Sequence, residues 1–372
     1  MKIAFVYDRV NKFGGAERVL LALHEIWPEA PLFTPVYNPK TAPYADVFHV
    51  KTSVLSRWPL NVVPHEILPP LLPFFYESMT FDDFDLVLTI TSAEAKGILT
   101  KPGTLHVCYC LTPTRYLWSG YDEYIREPGL GWANGLARFL IRSAAPLLRN
   151  WDYISSKRPD KYIAISKAVA ERIDVYYQQH AEVIYPPVDT KTFTPDHTLS
   201  SGRYFLIVSR LVPYKRIDYA IEVFNNLGFP LKIIGTGIDS KRLRKLAGPT
   251  IEFIGSDLTD AKLCWYYQNC QALIYPGEED FGITAVEAQA CGRPVIAYKK
   301  GGVAETIQVG KTGELYEEES MECLSEKVLR FNSKEYLSED CYTHASRFSK
   351  RHFQKNIREL IGKYYRDSKA II

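Results

Sequence analysis

The sequence predicts an α/β protein made of two doubly wound, parallel-sheet domains. Three observations carry this: a length of 372 residues, apolar β-type runs alternating with helical patterns, and one polar interruption that divides the alternation into two series. A chain of this length exceeds one ordinary α/β unit and suits two domains facing a cleft. Strands that are apolar throughout belong to sheets covered on both faces, which is the parallel arrangement.

The first series holds strands at Ile3 to Tyr7, Leu86 to Thr91, His106 to Cys110, Tyr162 to Ile165 and Val183 to Tyr185, with helices at Ala16 to Trp27 and Lys167 to Gln179. At Tyr185-Pro-Pro-Val-Asp189 the alternation stops, and a Thr, Pro, Asp, His and Ser-rich stretch runs to Gly202 as a linker. It restarts with strands at Tyr204 to Ser209, Leu231 to Ile234, Ile251 to Ile254 and Ala272 to Tyr275. Helices fall at Ile217 to Leu227, Asp260 to Asn269 and around Ala285 to Ala290. Beyond Glu335, the spacing of Phe348, Phe353, Ile357, Leu360 and Ile361 predicts one long amphipathic helix that needs an apolar groove. The expected division is 1–188 for the first domain, 189–346 for the second and 347–372 for the terminal helix.

Composition narrows the function classes. Hydrophobic residues at 46% and charged residues at 24% are those of a globular chain. A net charge of +2, from 45 Lys and Arg against 43 Asp and Glu, announces no nucleic-acid partner. Seven cysteines without paired spacing suit a reducing, cytoplasmic setting, and eight histidines show no metal-ligand pattern. The opening MKIAFVYDRV reads as a buried strand rather than a leader. Prolines at 64, 69, 70 and 73 prevent Val62 to Tyr76 from forming a membrane-spanning helix of ~20 residues.

The strongest chemical signal is Tyr275-Pro-Gly-Glu-Glu-Asp-Phe-Gly-Ile-Thr-Ala-Val-Glu287, a strand running through a glycine-containing loop into a helix that Gly292 and Pro294 stop. Open α/β sheets bind ligands at the carboxyl ends of their strands, and backbone N–H groups around Phe281, Gly282, Ile283 and Thr284 at the helix start suit a diphosphate. Glu287 suits ribose hydroxyls. Glu279, which would repel a phosphate, suits neutral sugar hydroxyls. Cations for the phosphates are expected from Arg210 and Lys215, in the loop after Tyr204 to Ser209, where an arginine fork and a lysine point charge can share a departing diphosphate. A solvated strand-helix loop is often basic without any function.

Weaker signals lie elsewhere. Gly14-Gly15 either lets the backbone approach a ligand closely or builds a tight turn needing positive φ. Gly235-Thr-Gly237 lacks the third glycine of a dinucleotide fingerprint and reads as a turn near the donor, and no complete G-x-G-x-x-G follows a first strand, which disfavours a nicotinamide oxidoreductase. Asp83-Phe-Asp85 has a metal-type spacing but immediately precedes a strand, so a capping role is expected. Base recognition is expected from backbone between Phe253 and Ser256, Ile254 included. Val54 to Tyr76 and Leu136 to Lys161 mix basic and apolar residues, as a helix on an anionic membrane does. Core packing with a solvated basic face explains the same pattern and is the preferred reading of it.

Together Gly14-Gly15-Ala-Glu-Arg18, Thr112-Pro-Thr-Arg-Tyr116, Ile165-Ser-Lys167, Tyr185-Pro-Pro-Val-Asp189, Ser209-Arg210 with Lys215, and the Glu279 and Glu287 pair resemble the retaining family 4 glycosyltransferases, in particular the mannosyltransferase-like subgroup of polysaccharide assembly. The resemblance spans essentially the whole chain. It implies two Rossmann-like domains in the GT-B arrangement, with the terminal helix crossing back to the first. It also implies metal-independent and cofactor-free transfer of a hexose, mannose from GDP-mannose, to a lipid-linked or growing saccharide, at the cytoplasmic face of a membrane. The implied catalytic residues are Glu279, Arg210 and Lys215, and the implied donor residues add Gly14, Gly15, Ile254, Phe281 to Thr284 and Glu287. Thr112, Arg115 and Tyr116 fall on the acceptor or sugar side. One position departs from the family pattern: Leu111 stands where many relatives carry a histidine before Thr-Pro. Leucine neither donates a hydrogen bond nor shares a proton, so a catalytically weak nucleotide-sugar-binding subunit is the second expectation.

Overall fold

The computed structural model describes residues 1–52, 71–126, 134–196, 198 and 202–370. The chain divides into two compact units, Met1–Tyr185 with Phe353–Ile372, and Pro186–His352.

The first unit runs β1 (Ile3–Tyr7), α1 (Gly15–His24), β2 (Leu32–Thr34), β3 (Val50–Thr52), α2 (Leu72–Glu77), β4 (Leu86–Thr91), β5 (Leu105–Cys110), α3 (Tyr121–Arg126), α4 (Asn134–Ser155), β6 (Lys161–Ala164), α5 (Lys167–Tyr177) and β7 (Ala181–Val183). Its strands pair in parallel in the order β3-β2-β1-β4-β5-β6-β7. β1, β4 and β5 are buried along their whole length, as a sheet covered on both faces requires. The threonines of β4 are tolerated there because each is satisfied: Thr89 Oγ1 meets His106 Nε2 at 3.2 Å, and Thr91 Oγ1 donates to Asp8 Oδ1 at 2.7 Å.

The second unit runs β8 (Tyr204–Val208), α6 (Ile217–Leu227), β9 (Leu231–Ile234), α7 (Ser240–Leu246), β10 (Ile251–Gly255), α8 (Asp260–Gln268), β11 (Cys270–Tyr275), α9 (Ile283–Ala290), β12 (Val295–Tyr298), β13 (Gly313–Tyr316), α10 (Met321–Arg330) and α11 (Ser338–Ser346). The sheet order is β10-β9-β8-β11-β12-β13, again parallel throughout. Its core joins Phe205 and Ile207 of β8 to Ile221 and Phe224 of α6 and to Leu324 and Val328 of α10.

Helix α12 (Lys350–Ala370) closes the chain. Phe353, Ile357, Ile361 and Tyr364 form its buried stripe. Phe353 meets Tyr109 with ring centroids 5.8 Å apart, and the Tyr364 hydroxyl donates to Glu182 at 3.1 Å, so the stripe covers the first unit.

Three expectations are corrected. The amphipathic pattern beyond Glu335 is two helices, not one, and the second begins at Lys350 rather than 347. Between them the backbone turns strand-like: Val188 N–H donates to Phe348 O at 2.9 Å and Lys350 N–H to Val188 O at 3.0 Å, which removes both groups from any helical ladder. The strand expected at Val183 to Tyr185 lies at Ala181–Val183; Ile184 N–H still donates to Ala164 O at 3.0 Å, and the prolines at 186 and 187, with no N–H to donate, cannot extend the ladder. β2 and β3 escaped notice because three residues show no period. Much of the mixed segment from Val54 to Tyr76 lies outside the described residues. In α4, the side chains of Leu136 and Leu140 do as well.

Candidate active site

In an open parallel sheet, the crevice lies where the strand order reverses. In the second unit the reversal falls between β8 and β11, so the loop after β8 and the loop after β11 emerge side by side. The first carries Arg210 and Lys215, and the second carries Glu279 to Gly282.

Glycines set how tightly these loops pack. A Cβ on Gly277 would lie 2.9 Å from the carbonyl carbon and oxygen of Lys215, so only glycine lets the β11 loop rest on Tyr214 and Lys215. Gly282 caps α9 at φ 86°, in the left-handed region, and its Cβ would meet Val303 Cγ2 at 2.9 Å. On the far side, Gly302 N–H donates to Glu279 O at 2.7 Å, which anchors the loop after β12 against the same segment.

Lys215 is 5% exposed, and its ammonium forms an ion pair with Glu279 Oε2. The Tyr275 hydroxyl donates to the same oxygen at 2.8 Å, and Asp280 N–H donates to Oε1 at 3.2 Å. The lysine Nζ also stands 5.2 Å and 5.9 Å from the rings of Tyr214 and Tyr275. Burial pushes the Tyr275 phenol above its ordinary range, which keeps it a donor at neutral pH. The sequence assigned Lys215 to phosphates and Glu279 to sugar hydroxyls as separate groups, and the structure brings them into contact. A buried ammonium needs a counter-charge, and Glu279 is the carboxylate that the β8–β11 adjacency delivers. Arg210 is exposed, and its Nη2 donates to the Tyr214 hydroxyl at 2.9 Å.

Glu287 sits one turn into α9, 3% exposed, and accepts from the Tyr267 hydroxyl of α8 at 3.0 Å. Phe281 is a core residue packed on Phe348 at 5.6 Å, so it offers the site backbone only. The N–H groups of Ile283 and Thr284 lie in the first turn of α9, where the helix supplies no partners. Ile254 lies beside a bulge on edge strand β10. Two strand spacings, roughly 10 Å, separate it from β8. Gly235 and Gly237 buttress the Arg210 loop: their Cβ atoms would lie 1.9 Å from Ser209 O and 2.1 Å from Leu211 O.

The first unit repeats the geometry at its own reversal, between β1 and β4. Asp8, after β1, accepts from Thr91 Oγ1 at 2.7 Å, Ser92 N–H at 2.7 Å and Ala95 N–H at 3.1 Å. Arg9 stands 3.5 Å from Glu94, and Tyr116 donates to Glu94 Oε1 at 2.5 Å. Burial raises the Glu94 carboxyl above its usual range, with the Arg9 charge opposing. Thr112 is buried and meets Arg172 Nη1 at 3.4 Å, while Arg115 folds over Gly120, whose Cβ would lie 2.9 Å from Arg115 Cγ. Leu111 follows β5, with its N–H bonded to Thr91 O at 2.7 Å.

Gly14 and Gly15 build no positive-φ turn. Gly14 is extended at φ −171°, and Gly15 is the first residue of α1. What is tight there is Glu17, whose Oε2 would lie 3.3 Å from a Cβ on Gly14 and whose Oε1 accepts from Tyr7 at 2.6 Å. Asp85 accepts from Lys2 N–H at 2.7 Å at the start of β4. Among the described residues no cluster of three or more metal-ligating side chains occurs, and no helix is long and apolar enough to cross a membrane.

The sequence reading missed Asp8, Arg9, Glu94 and the fully buried Lys96–Asp152 pair. Position at the carboxyl ends of β1 and β4 was the available signal for the first three.

Residues 190–348 match the family described as glycosyl transferases group 1. The match covers nearly the whole of the second unit, Pro186–His352. Lys215, Glu279 and Glu287 lie inside the matched span. An uncharacterized glycosyltransferase of Methanocaldococcus jannaschii is 30% identical over 197 residues, 52% of this chain and 55% of that protein. A GDP-mannose-dependent alpha-mannosyltransferase of Mycolicibacterium smegmatis is 33% identical over 134 residues, 36% of this chain and 34% of that protein. The chain thus spans about half or less of the curated relatives it matches. Among solved structures, Anabaena HepE in complex with UDP superposes with TM-score 0.70 at 17% identity, covering 98% of this chain and all of the other. Sucrose-phosphate synthase from Thermosynechococcus elongatus gives TM-score 0.73 at 17% identity over 99% of this chain and all of the other. The two-domain fold is therefore that of the GT-B glycosyltransferases.

Proposed function

We propose that the protein is a retaining, metal-independent hexosyltransferase that uses a nucleotide sugar, GDP-mannose, and delivers the hexose to a lipid-linked or growing saccharide. The observation that carries this reading is the convergence of Lys215, Glu279 and Tyr275 beside the Gly282-capped start of α9 inside a group 1 domain. Departure of a nucleoside diphosphate is the demanding event in such a transfer. Lys215, Arg210 and the first-turn N–H groups of α9 supply positive electrostatics for it. Glu279, fixed by Tyr275 and Asp280 N–H, presents a carboxylate for sugar hydroxyls, and Glu287 presents one for ribose. GDP-mannose is favoured over other donors by the mannosyltransferase names among the relatives.

The test is a thermal-shift panel of nucleotide sugars, followed by transfer and donor-hydrolysis assays with the donor that raises the melting temperature most. Lys215→Ala and Glu279→Ala are expected to lower kcat by about 10²–10³, the usual effect of removing one group that stabilises developing charge. Unchanged turnover in both variants refutes the assignment. Leu111 favours a second reading, a binding subunit with weak activity. Donor binding without transfer by the wild-type chain selects it.

The cytoplasmic, membrane-face setting belongs to the same proposal. α4 turns Phe139, Leu147 and Ile154, at 66%, 74% and 52% exposure, to solvent beside exposed Arg138 and Arg142, a composition that suits an anionic interface. Flotation with anionic vesicles at low salt checks it. Absence of binding, or binding indifferent to Leu147→Glu, refutes it.

A further inference from the structure

We propose that Cys264 and Cys291 are a disulfide-forming pair that reversibly ties α8 to the carboxyl end of α9. Both cysteines are buried, and their sulfurs stand 3.4 Å apart. The apposition belongs to two helices in fixed register. Tyr267, one turn on from Cys264, donates to Glu287, one turn before Cys291, at 3.0 Å. A disulfide of ~2.05 Å requires the sulfurs to close by only about 1.4 Å.

The two thiols differ in the way that such chemistry needs. Cys264 is pushed down to about 7, first because the Cys291 S–H donates to its sulfur, while burial pushes Cys291 up. Burial also raises Cys110 well above its ordinary value and Cys270 and Cys341 to about 12, so of these four thiols Cys264 gives up its proton most readily. With hydrogen peroxide as oxidant, the Cys264 thiolate attacks one peroxide oxygen, the O–O bond breaks, and hydroxide leaves a sulfenic acid on Cys264. The Cys291 sulfur then attacks that sulfur. The S–S bond forms, the S–O bond breaks, and the departing oxygen takes the Cys291 proton as water. Two thiols lose two electrons, and one peroxide becomes two waters. A dithiol reductant reverses the bond. The bridge fastens α8 to the helix that carries Glu287 and whose amino end Gly282 caps.

The experiment uses the reduced full chain, exposed to one equivalent of hydrogen peroxide, unfolded and alkylated with iodoacetamide. The number of alkylated cysteines is expected to fall from seven to five and to return to seven after dithiothreitol. Trypsin leaves Cys264, Cys270 and Cys291 in one fragment, residues 263–299, because Arg293 precedes proline. Chymotryptic cleavage at Trp265 to Tyr267 and at Phe281 then separates the three. A Cys264 fragment joined to a Cys291 fragment is the expected product, preserved in Cys270→Ser. A link from Cys264 to any other cysteine, a sulfenic or mixed-disulfide product that stops at Cys264, or seven alkylated thiols after peroxide overturns the proposal. The wild-type map decides the question even where a variant fails to fold, and its readout is independent of the proposed transferase activity.

Discussion

Replacing Lys96 with methionine removes one half of an ion pair whose members are 1% and 0% exposed. Lys96 Nζ donates to Asp152 Oδ1 at 2.5 Å, Thr114 Oγ1 at 3.0 Å and Ala93 O at 2.8 Å, which uses every proton of the ammonium. Asp152 Oδ1 also accepts from Thr114 at 2.6 Å, and its Oδ2 accepts from Trp118 Nε1 and the Tyr177 hydroxyl, each at 2.8 Å. Methionine fills most of the lysine volume, so little cavity forms, and the cost is that of a buried carboxylate without its counter-ion, about 3–5 kcal/mol. Replacing Asp152 by leucine in the same chain is not expected to restore stability. It leaves the Trp118 and Tyr177 donors without their Asp152 acceptor, at about 1–3 kcal/mol each. Urea unfolding followed by tryptophan fluorescence measures this well. Trp265 is the sole tryptophan of the second unit, whereas Trp27, Trp118 and Trp151 report on the first. The first unit's transition should move to lower urea by the equivalent of about 3–5 kcal/mol, close to half or more of a typical domain's stability. A shift below about 1 kcal/mol, the value of an exposed pair, refutes the reasoning. Because Thr114 lies between Thr112 and Tyr116, the same variant should also weaken acceptor-dependent turnover more than donor binding.

Gly282→Ala places a Cβ at φ 86° and 2.9 Å from Val303 Cγ2, so a loss of about 1–3 kcal/mol and weaker nucleotide-sugar binding by calorimetry are expected. Tyr267→Phe removes the hydrogen bond to buried Glu287 and should reduce donor affinity by about tenfold, measured by thermal shift, with the fold retained. His106 is held neutral by burial, with its pKa lowered to about 3. Its contribution is complete above the unfolded value near 6.5 and is lost as pH falls toward 3, at about 1.4 kcal/mol per pH unit. In His106→Gln, unfolding free energies between pH 6 and pH 4 should fall less steeply by one proton's worth. Gly97→Ala puts a Cβ 2.5 Å from the Trp151 ring and should lower the melting temperature of the first unit.

Much of the second unit was legible in the chain. Ile217–Leu227 and Leu231–Ile234 follow from apolar spacing and flanking breakers alone, and the glycine before Ile283 marks the start of α9. The first unit was less so. β2 and β3 are too short to show a period. In the second unit, the helix expected beyond Glu335 is interrupted by a pairing with Val188 that no local pattern encodes.

The sequence alone determined that Glu279 and Lys215 stand at the carboxyl ends of strands, because both facts follow from local apolar runs and the turns after them. Only the tertiary structure decided that they touch. Contact between two loops depends on which strands are neighbours, and the adjacency of β8 and β11 arises from how the whole sheet is wound, not from periodicity in either segment. Burial then made the pairing obligatory, since an ammonium 5% exposed needs a counter-charge within reach.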